Sequence, residues 1–191
     1  MRSALKNKLH FSGGNRDAVS LELLSRKTRP VFFQIRITEE QTAYLHLNPR
    51  ALLRQVFFSF GCGKLCLIRA GGQYCGFVCM WINPRIGKYT VAPLVIDQRF
   101  QRRGIGRQAL FQVCDYLFSR GADRVLLSVH PDNFAAIAMY EQIGFIFTNS
   151  QWGPVEKVMR LDRDVYESPR IAELRIAFEK KRSDANPAAD A

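Results

Sequence analysis

The stretch from Tyr89 to His130 constrains the fold more than any other part of the chain. An apolar, β-branched run, Tyr89 to Asp97 (YTVAPLVID), leads into a basic glycine loop, RFQRRGIGRQAL, where a helical pattern begins. From Gly104 to Ser119, Ile105, Ala109, Val113 and Leu117 fall on one helical face, with Leu110 beside them, and Gly121 ends the pattern. Arg124 to His130 (RVLLSVH) reads as a strand again. Strand, helix and strand in this order predict one βαβ crossover, with its two strands parallel in one sheet. Pro93 has no N–H for a sheet ladder, so a bulge or splay is expected in the first of those strands.

The flanking segments predict antiparallel pairing around that unit. Val31 to Ile37 (VFFQIRI) is rich in β-branched and aromatic residues and reads as a strand. Thr38, Glu39 and Glu40 resemble a helix start, and residues 39–60 are expected to be helical with a break near Asn48-Pro49. Lys64 to Arg69 and Tyr74 to Ile82 form a hairpin around Gly71-Gly72. Pro131-Asp132-Asn133 caps a helix that runs to Ile143, and Gly144 supplies the left-handed residue beyond it. Phe145 to Phe147 and Val155 to Leu161 are late strands. The expected fold is α/β: a mixed, mostly antiparallel central sheet flanked by helices, with a splayed central strand and one crossover. Residues 1–30 read as a basic, flexible extension with a short helix near Ala18 to Leu24. Residues 31–162 read as one domain. Residues 163–191 read as a short amphipathic helix with Ile171, Leu174 and Phe178 on one face, then a disordered tail from Asp184. That apolar stripe is a packing face or a homodimer contact.

Charge narrows the function. The formal net charge of the 191-residue chain is +11. Residues 1–30 carry seven Lys/Arg against two acids, residues 31–162 fifteen against nine, and residues 163–191 six against six. Within the central part the excess concentrates in the glycine loop, where Arg99, Arg102, Arg103 and Arg107 stand without an acid. This favours a local anion site over a broad nucleic-acid face. No apolar run approaches the roughly 20 residues of a membrane span, and the N-terminus lacks a secretory signal. A cytoplasmic protein with no membrane partner is expected. Cys62, Cys66, Cys75 and Cys79 form two C-x3-C pairs. Residues four apart on a strand share a face, so these thiols, with Cys114, read as reduced and mostly buried rather than as a metal site.

A strand that runs into a glycine-containing helix start exposes unpaired N–H groups at the positive end of the helix dipole, and phosphate or pyrophosphate suits such a site. The alternative is a helix N-terminus rimmed by solvated arginines, with no ligand. A Walker loop is absent. Gly104-Ile105-Gly106-Arg107-Gln108-Ala109 formally matches a dinucleotide fingerprint. However, the loop after Asp97 is long and basic, and the next strand ends at His130 rather than at an acid.

Two motifs carry a more specific resemblance. Gln101-Arg102-Arg103-Gly104-Ile105-Gly106 matches Q/R-x-x-G-x-G/A, and Asn133 to Phe145 (NFAAIAMYEQIGF) matches N-x-x-A-x-x-x-Y-x-x-x-G-F. Separated by one helix and one strand, they resemble the acetyl-CoA signatures of the GNAT superfamily of N-acetyltransferases. VIDQRFQRRGIGRQAL and the late EKVMRLD look most similar to the spermine/spermidine (diamine) branch. The resemblance covers about residues 31–162 and implies the following site. The backbone of Leu94, Val95 and Ile96 pairs with the pantetheine arm of acetyl-CoA, and an N–H of Ile96 or Val95 polarises the acetyl carbonyl. N–H groups from Gln101 to Gly106, through Arg102, Arg103, Gly104 and Ile105, hold the pyrophosphate. Leu126 to Ser128 border the arm, with Asn133 and Ala136 near its thiol end. Tyr140 is the general acid for the departing thiolate; on its own residues, without the resemblance, it reads as a core tyrosine beside Ala136, Ile137 and Ile143. Glu39, Glu40, Asp97 or a water chain is the base.

The implied acceptor is a primary amine, either a polyamine or other small amine, or an amine on a protein or peptide. A polyamine wants an acidic pocket, and this chain is basic. Where the diamine branch has a W-x-R-F-like run, this chain has Thr90-Val91-Ala92-Pro93-Leu94. A noncatalytic acyl-CoA-binding module is the reading from a different class, and Tyr140 favours an enzyme.

Overall fold

The computed structural model describes residues 19–45, 49–58 and 61–185. Seven strands form one sheet in the order β1-β2-β3-β4-β5-β7-β6. The chain enters along β1 (Ser20–Leu23) at one edge. It then makes a helical turn α1 (Arg29–Phe32) and helices α2 (Glu39–Leu45) and α3 (Pro49–Phe57). Strands β2 (Gly63–Ala70), β3 (Gln73–Asn83) and β4 (Lys88–Ile96) form an antiparallel meander. Helix α4 (Ile105–Ser119) crosses to β5 (Arg124–Val129), which pairs with β4 in parallel. Helix α5 (Phe134–Ile143), strands β6 (Ile146–Trp152) and β7 (Glu156–Asp162), the turn α6 (Arg163–Tyr166) and helix α7 (Pro169–Ala185) complete it. This is the α/β class expected, with six strand pairings of which β4–β5 alone is parallel.

Two sequence expectations reverse at the start of the fold. Val31 to Ile37 is not a strand. Pro30 takes the second position of α1, in the first turn where N–H groups lack a helical partner, and Phe32 and Ile35 are buried at helical spacing against Phe77 and Leu67 of the sheet. Tertiary packing overrides the β propensity of the run. Ser20 to Leu23 is the strand instead. Val19 and Leu21 are buried on the sheet face, while the outward Glu22 accepts from the Tyr74 hydroxyl at 3.0 Å. The sheet therefore begins inside the segment expected to be an extension. Helix α7 runs to Ala185, past Asp184 where a tail was expected to start; the rest of that expected tail, residues 186–191, and residues 1–18 lie outside the described residues.

Each face of the sheet has its own core. Cys66, Ile68, Val78 and Met80 pack under α4 and α5 with Leu110, Leu117 and Ile143. Leu65, Leu67, Phe77 and Val95 pack under α1 and α3 with Phe32 and Leu52. The cysteines illustrate the sensitivity of such packing to register. A bulge between Ile68 and Arg69 shifts the pairing, so Cys75 joins the first core and Cys79 the second, although four residues separate them. All five cysteines are unpaired, and all but Cys62 are buried. Among the described residues, no group of three or more His, Cys, Asp or Glu could hold a metal, and no helix is long and apolar enough to cross a membrane.

The feature that positions the site is the parting of β4 from β5. The two strands pair only at Thr90 with Leu126 and Val91 with Leu127. Beyond them β4 continues to Ile96 beside β3 alone, with a pairing shift opposite Ala92-Pro93, where the bulge was expected. A cavity of about 1070 Å³ opens in the gap.

Candidate active site

Asp97, at the end of β4, sets the course of the loop. Its fully buried carboxylate accepts from the Arg36 N–H (2.9 Å), the Arg99 N–H (3.0 Å) and the Arg99 guanidinium (2.8 and 2.9 Å). Burial alone would raise its pKa; the Arg99 bonds and the two N–H groups outweigh it and hold the carboxyl at about 2. Asp97 is thus a structural anchor and no base. Arg99 is consumed in holding it.

Past that anchor the backbone turns sharply. Arg102 has φ 63° and Gly104 φ 72°, two left-handed residues in three. Gly104 N-caps α4 without a side chain, and a Cβ built there would meet no protein atom within 4 Å. Only from Gln108, which donates to Gly104 O at 3.2 Å, does the helical ladder begin. Among the described residues, no acceptor meets the N–H groups from Gln101 to Arg107. Uncapped donors at the positive end of a helix of 15 residues make an anion cradle. Gly106 lets α4 start close to β4, its Cβ position lying 3.4 Å from the Ile96 side chain.

The exposed edge of β4 faces the same cavity. Asp97 N–H donates to Cys75 O at 2.8 Å, so by alternation Val95 also turns its polar groups to β3, and Leu94 and Ile96 turn theirs to the gap. Ile96 O accepts from Gln41 Nε2 at 3.0 Å and from Gln101 Nε2 at 3.2 Å. Gln41 is held by a reciprocal cap with Thr38, at 3.0 and 3.1 Å, which fixes the first turn of α2 over the gap.

Across the gap stands α5. Asn133 accepts from the Ala136 N–H at 3.2 Å and so caps the helix. Two turns along, Tyr140 is 8% exposed and still lines the cavity. Burial pushes its phenol up to about 12, which keeps the proton on oxygen through the neutral range.

Of the residues predicted for the site, Leu94, Ile96, Gln101, Arg102, Gly104, Ile105, Gly106, Asn133, Ala136 and Tyr140 line this one cavity. Two do not. Val95 is buried in the α3-side core, and the Arg103 guanidinium lies 5.5 Å from the Phe100 ring. Glu39 and Asp97 are likewise absent from the lining.

Glu40 of α2, one of the bases considered from sequence, lines the opposite end of the cavity; the sequence reading missed the residues that converge there with it, Tyr44 of α2, Trp81 of β3, Lys88 of β4, Trp152 of β6 and Glu156 of β7. Tyr44 donates to Glu40 at 3.0 Å and to Asp132 O at 3.2 Å; Trp81 Nε1 donates to Ala92 O at 3.3 Å; the Lys88 ammonium sits 5.1 Å from the Trp152 ring. A T-x-x-Q pattern at Thr38 to Gln41 was the one local signal available for this side.

The residues present fit a CoA-type ligand. Unsatisfied donors and basic side chains would suit a pyrophosphate, an open strand edge would suit an amide-bearing arm, and the same cavity reaches a buried phenol. Known proteins agree with the geometry. The ribosomal protein bS18-alanine N-acetyltransferase of Salmonella typhimurium is 45% identical over 56 residues, which are 29% of this chain and 38% of that one. The N-alpha-acetyltransferase RimI of Mycobacterium tuberculosis is 38% identical over 82 residues, 40% of this chain and 48% of the relative. The matches thus span less than half the length of these curated relatives. Among solved structures, the spermidine N-acetyltransferase of Vibrio cholerae, in complex with CoA and spermine, superposes with a TM-score of 0.67 at 17% identity. It covers 78% of this chain and 98% of that one, and shows a shared fold. Residues 29–145 match the acetyltransferase (GNAT) family, and the chain belongs to that family.

Proposed function

We propose that this protein is an acetyl-CoA-dependent N-acetyltransferase acting on a primary amine, with the amino terminus of a peptide or protein as acceptor. One observation carries the reading: the run of acceptor-free N–H groups from Gln101 to Arg107 opens onto the same cavity as the buried Tyr140. The acetyltransferase domain is drawn over residues 31–162, with β1 added at its sheet edge, and a cytoplasmic setting follows from the use of acetyl-CoA.

When bound, acetyl-CoA supplies an activated acyl thioester. The chain's own residues do the rest. N–H groups of Gln101 to Gly106, with Arg102 and Arg107, neutralise the pyrophosphate. Leu94 offers its strand-edge N–H and C=O groups to the pantetheine amides, while the Ile96 C=O is held by Gln41 and Gln101 and the Ile96 N–H is the donor for the acyl oxygen. Tyr140 keeps its proton at neutral pH and delivers it from Oη to the sulfur as that sulfur departs. Glu156, whose carboxylate has no hydrogen-bond or ion-pair partner among the described residues, accepts the ammonium proton of the acceptor directly or through water.

Charge selects among acceptors. The carboxylates that line the cavity are Glu40 and Glu156, and Glu40 is engaged by Tyr44. Lys88, Arg102 and Arg107 line it as well. Such a lining suits one ammonium better than the several charges of a polyamine. The two relatives named above as acting on alanine or alpha-amino groups support the same choice. The test is acetyl-CoA-dependent release of free thiol with a panel of amines: peptides with free amino termini, a lysine peptide, spermidine, spermine and a diamine. Turnover with a peptide amino terminus that is lost in Tyr140→Phe supports the reading. Turnover with polyamines alone moves the acceptor to the diamine class, and no turnover with retained acetyl-CoA binding leaves a noncatalytic binder.

A further inference from the structure

Helix α7 lies beyond the residues that match the family, yet it reaches the anion cradle. It runs back along α4 and is fastened there twice. Arg175 pairs with Asp115, and the Tyr166 hydroxyl at its approach donates to Asp115 Oδ1 at 2.8 Å and to Phe111 O at 3.0 Å. Ile171, 1% exposed, anchors the start of the helix in the main core. This fastening sets Phe178 against Arg107, whose guanidinium carbon lies 3.7 Å from the ring centroid.

Arg107 differs from the other arginines of the loop. Arg99 is spent on Asp97, and Arg103 packs against Phe100. Arg107 sits in the third position of α4 and lines the cavity at the N–H cradle. Its Nη2 donates to Gln142 of α5, while its Nε is buried with no partner. A guanidinium clamped between an aromatic face and an amide has lost most of its rotamer freedom, so little further ordering is needed when an anion binds.

We infer that Phe178 is a positioning residue for the anion site: by stacking on Arg107 it aims that guanidinium at the phosphates of the bound coenzyme, which makes the C-terminal helix part of the cofactor site. The inference rests on the proposed use of a CoA ligand. It explains the Ile171-Leu174-Phe178 stripe as a fastening that ends in a functional contact rather than as a dimer face.

Calorimetric titration of the full-length protein with CoA tests it without any turnover. Phe178→Ala and Arg107→Gln are each expected to raise the Kd by roughly five- to tenfold. Phe178→Tyr, which keeps the ring, retains wild-type affinity. The double variant binds no more weakly than Arg107→Gln alone, because Phe178 acts through that side chain. Leu174→Ala, on the same helix, lowers the melting temperature and leaves the Kd unchanged, which separates positioning from stability. Wild-type affinity in Phe178→Ala, or full additivity with Arg107→Gln, overturns the inference alone. Absence of CoA binding by the wild-type protein overturns it together with the proposed function.

Discussion

The two ends of the cavity are built from different material. At the cradle end the working groups are mostly backbone, drawn from β4 and its following loop: the edge of Leu94 and Ile96 and the N–H groups of Gln101 to Arg107. At the far end they are side chains from α2, β3, β4, β6 and β7, such as Glu40, Trp81, Lys88, Trp152 and Glu156. A backbone site needs a particular chain path and tolerates change in most side chains. A side-chain site can be rebuilt one residue at a time while the sheet stays the same. One fold can thus keep a fixed cofactor end while its acceptor end diverges.

The largest effect should come from closing the cradle. Gly104 is left-handed and its Cβ position is empty of protein atoms. In Gly104→Val the side chain projects into that space and the backbone is strained by about 1–2 kcal/mol. CoA affinity should fall by roughly a hundredfold, about 3 kcal/mol, with a smaller loss of melting temperature. An affinity within a factor of two of wild type, read by calorimetry, breaks the claim that this end is made of backbone.

Next in size is Tyr140→Phe, which keeps the ring and removes the proton. Turnover should drop by roughly a hundredfold while CoA affinity stays constant. The raised phenol also fixes a sign. A general acid works while protonated, so a group pushed from 10.0 to about 12 imposes no alkaline loss of kcat until near its pKa. A kcat profile that falls with an apparent pKa near 10, and loses that fall in Tyr140→Phe, would place the phenol at its ordinary value instead.

Asp97→Asn tests whether the cradle depends on the anchor beneath it. The variant keeps the shape and gives up the ion pair with Arg99, at a cost of about 2 kcal/mol in unfolding free energy. The wild-type protein should show the same dependence in acid. Because the folded pKa lies below the ordinary 3.8, the contribution of Asp97 is complete above that pH and is lost as pH falls toward about 2. Urea unfolding at pH 7 and at pH 3 should therefore separate wild type from variant by more at pH 7. An equal difference at both values sinks the anchor.

The same contrast between the two ends decides how far the sequence could be read. The cradle was legible because its determinants are contiguous. A strand, RFQRRGIGRQAL and a helix lie on adjacent residues, and the second motif supplies Asn133, Ala136 and Tyr140 on one helix. What could not be read there was single-residue direction: Val95 turns its polar groups to β3, which depends on the parity of the Asp97–Cys75 bond, and the Arg103 side chain lies on Phe100 while its N–H stays in the cradle. The acceptor end was not legible, since Glu40 and Glu156 stand 116 residues apart and meet only through the sheet. The N-terminal edge was misread for a related reason. VSLEL alternates with period two, but VFFQIRI has the stronger β propensity, and only packing on Phe77 shows that its Phe32 and Ile35 serve a helical turn.

The smallest expected effect would sharpen the comparison most, because it concerns the end that sequence does not reveal. Two carboxylates line the acceptor side, and their surroundings differ. Glu40 accepts from Tyr44, and that bond pushes the Tyr44 phenol up, so the carboxylate already holds a donor. The Glu156 carboxylate has no partner among the described residues, and the residue stands opposite Trp152 in the β6–β7 ladder. A carboxylate with an open lone pair is the better partner for an ammonium ion. Glu156→Gln should therefore raise KM for a peptide amine by about three- to tenfold and, since it removes the proposed proton acceptor, lower kcat by about as much, while Glu40→Gln, which can still accept from Tyr44, should change either by less than about twofold. Neither substitution should alter CoA affinity if the two ends are independent. The reverse order of KM effects would place the amine beside α2, and a loss of CoA affinity in either variant would show that the side-chain end and the backbone end form one coupled site.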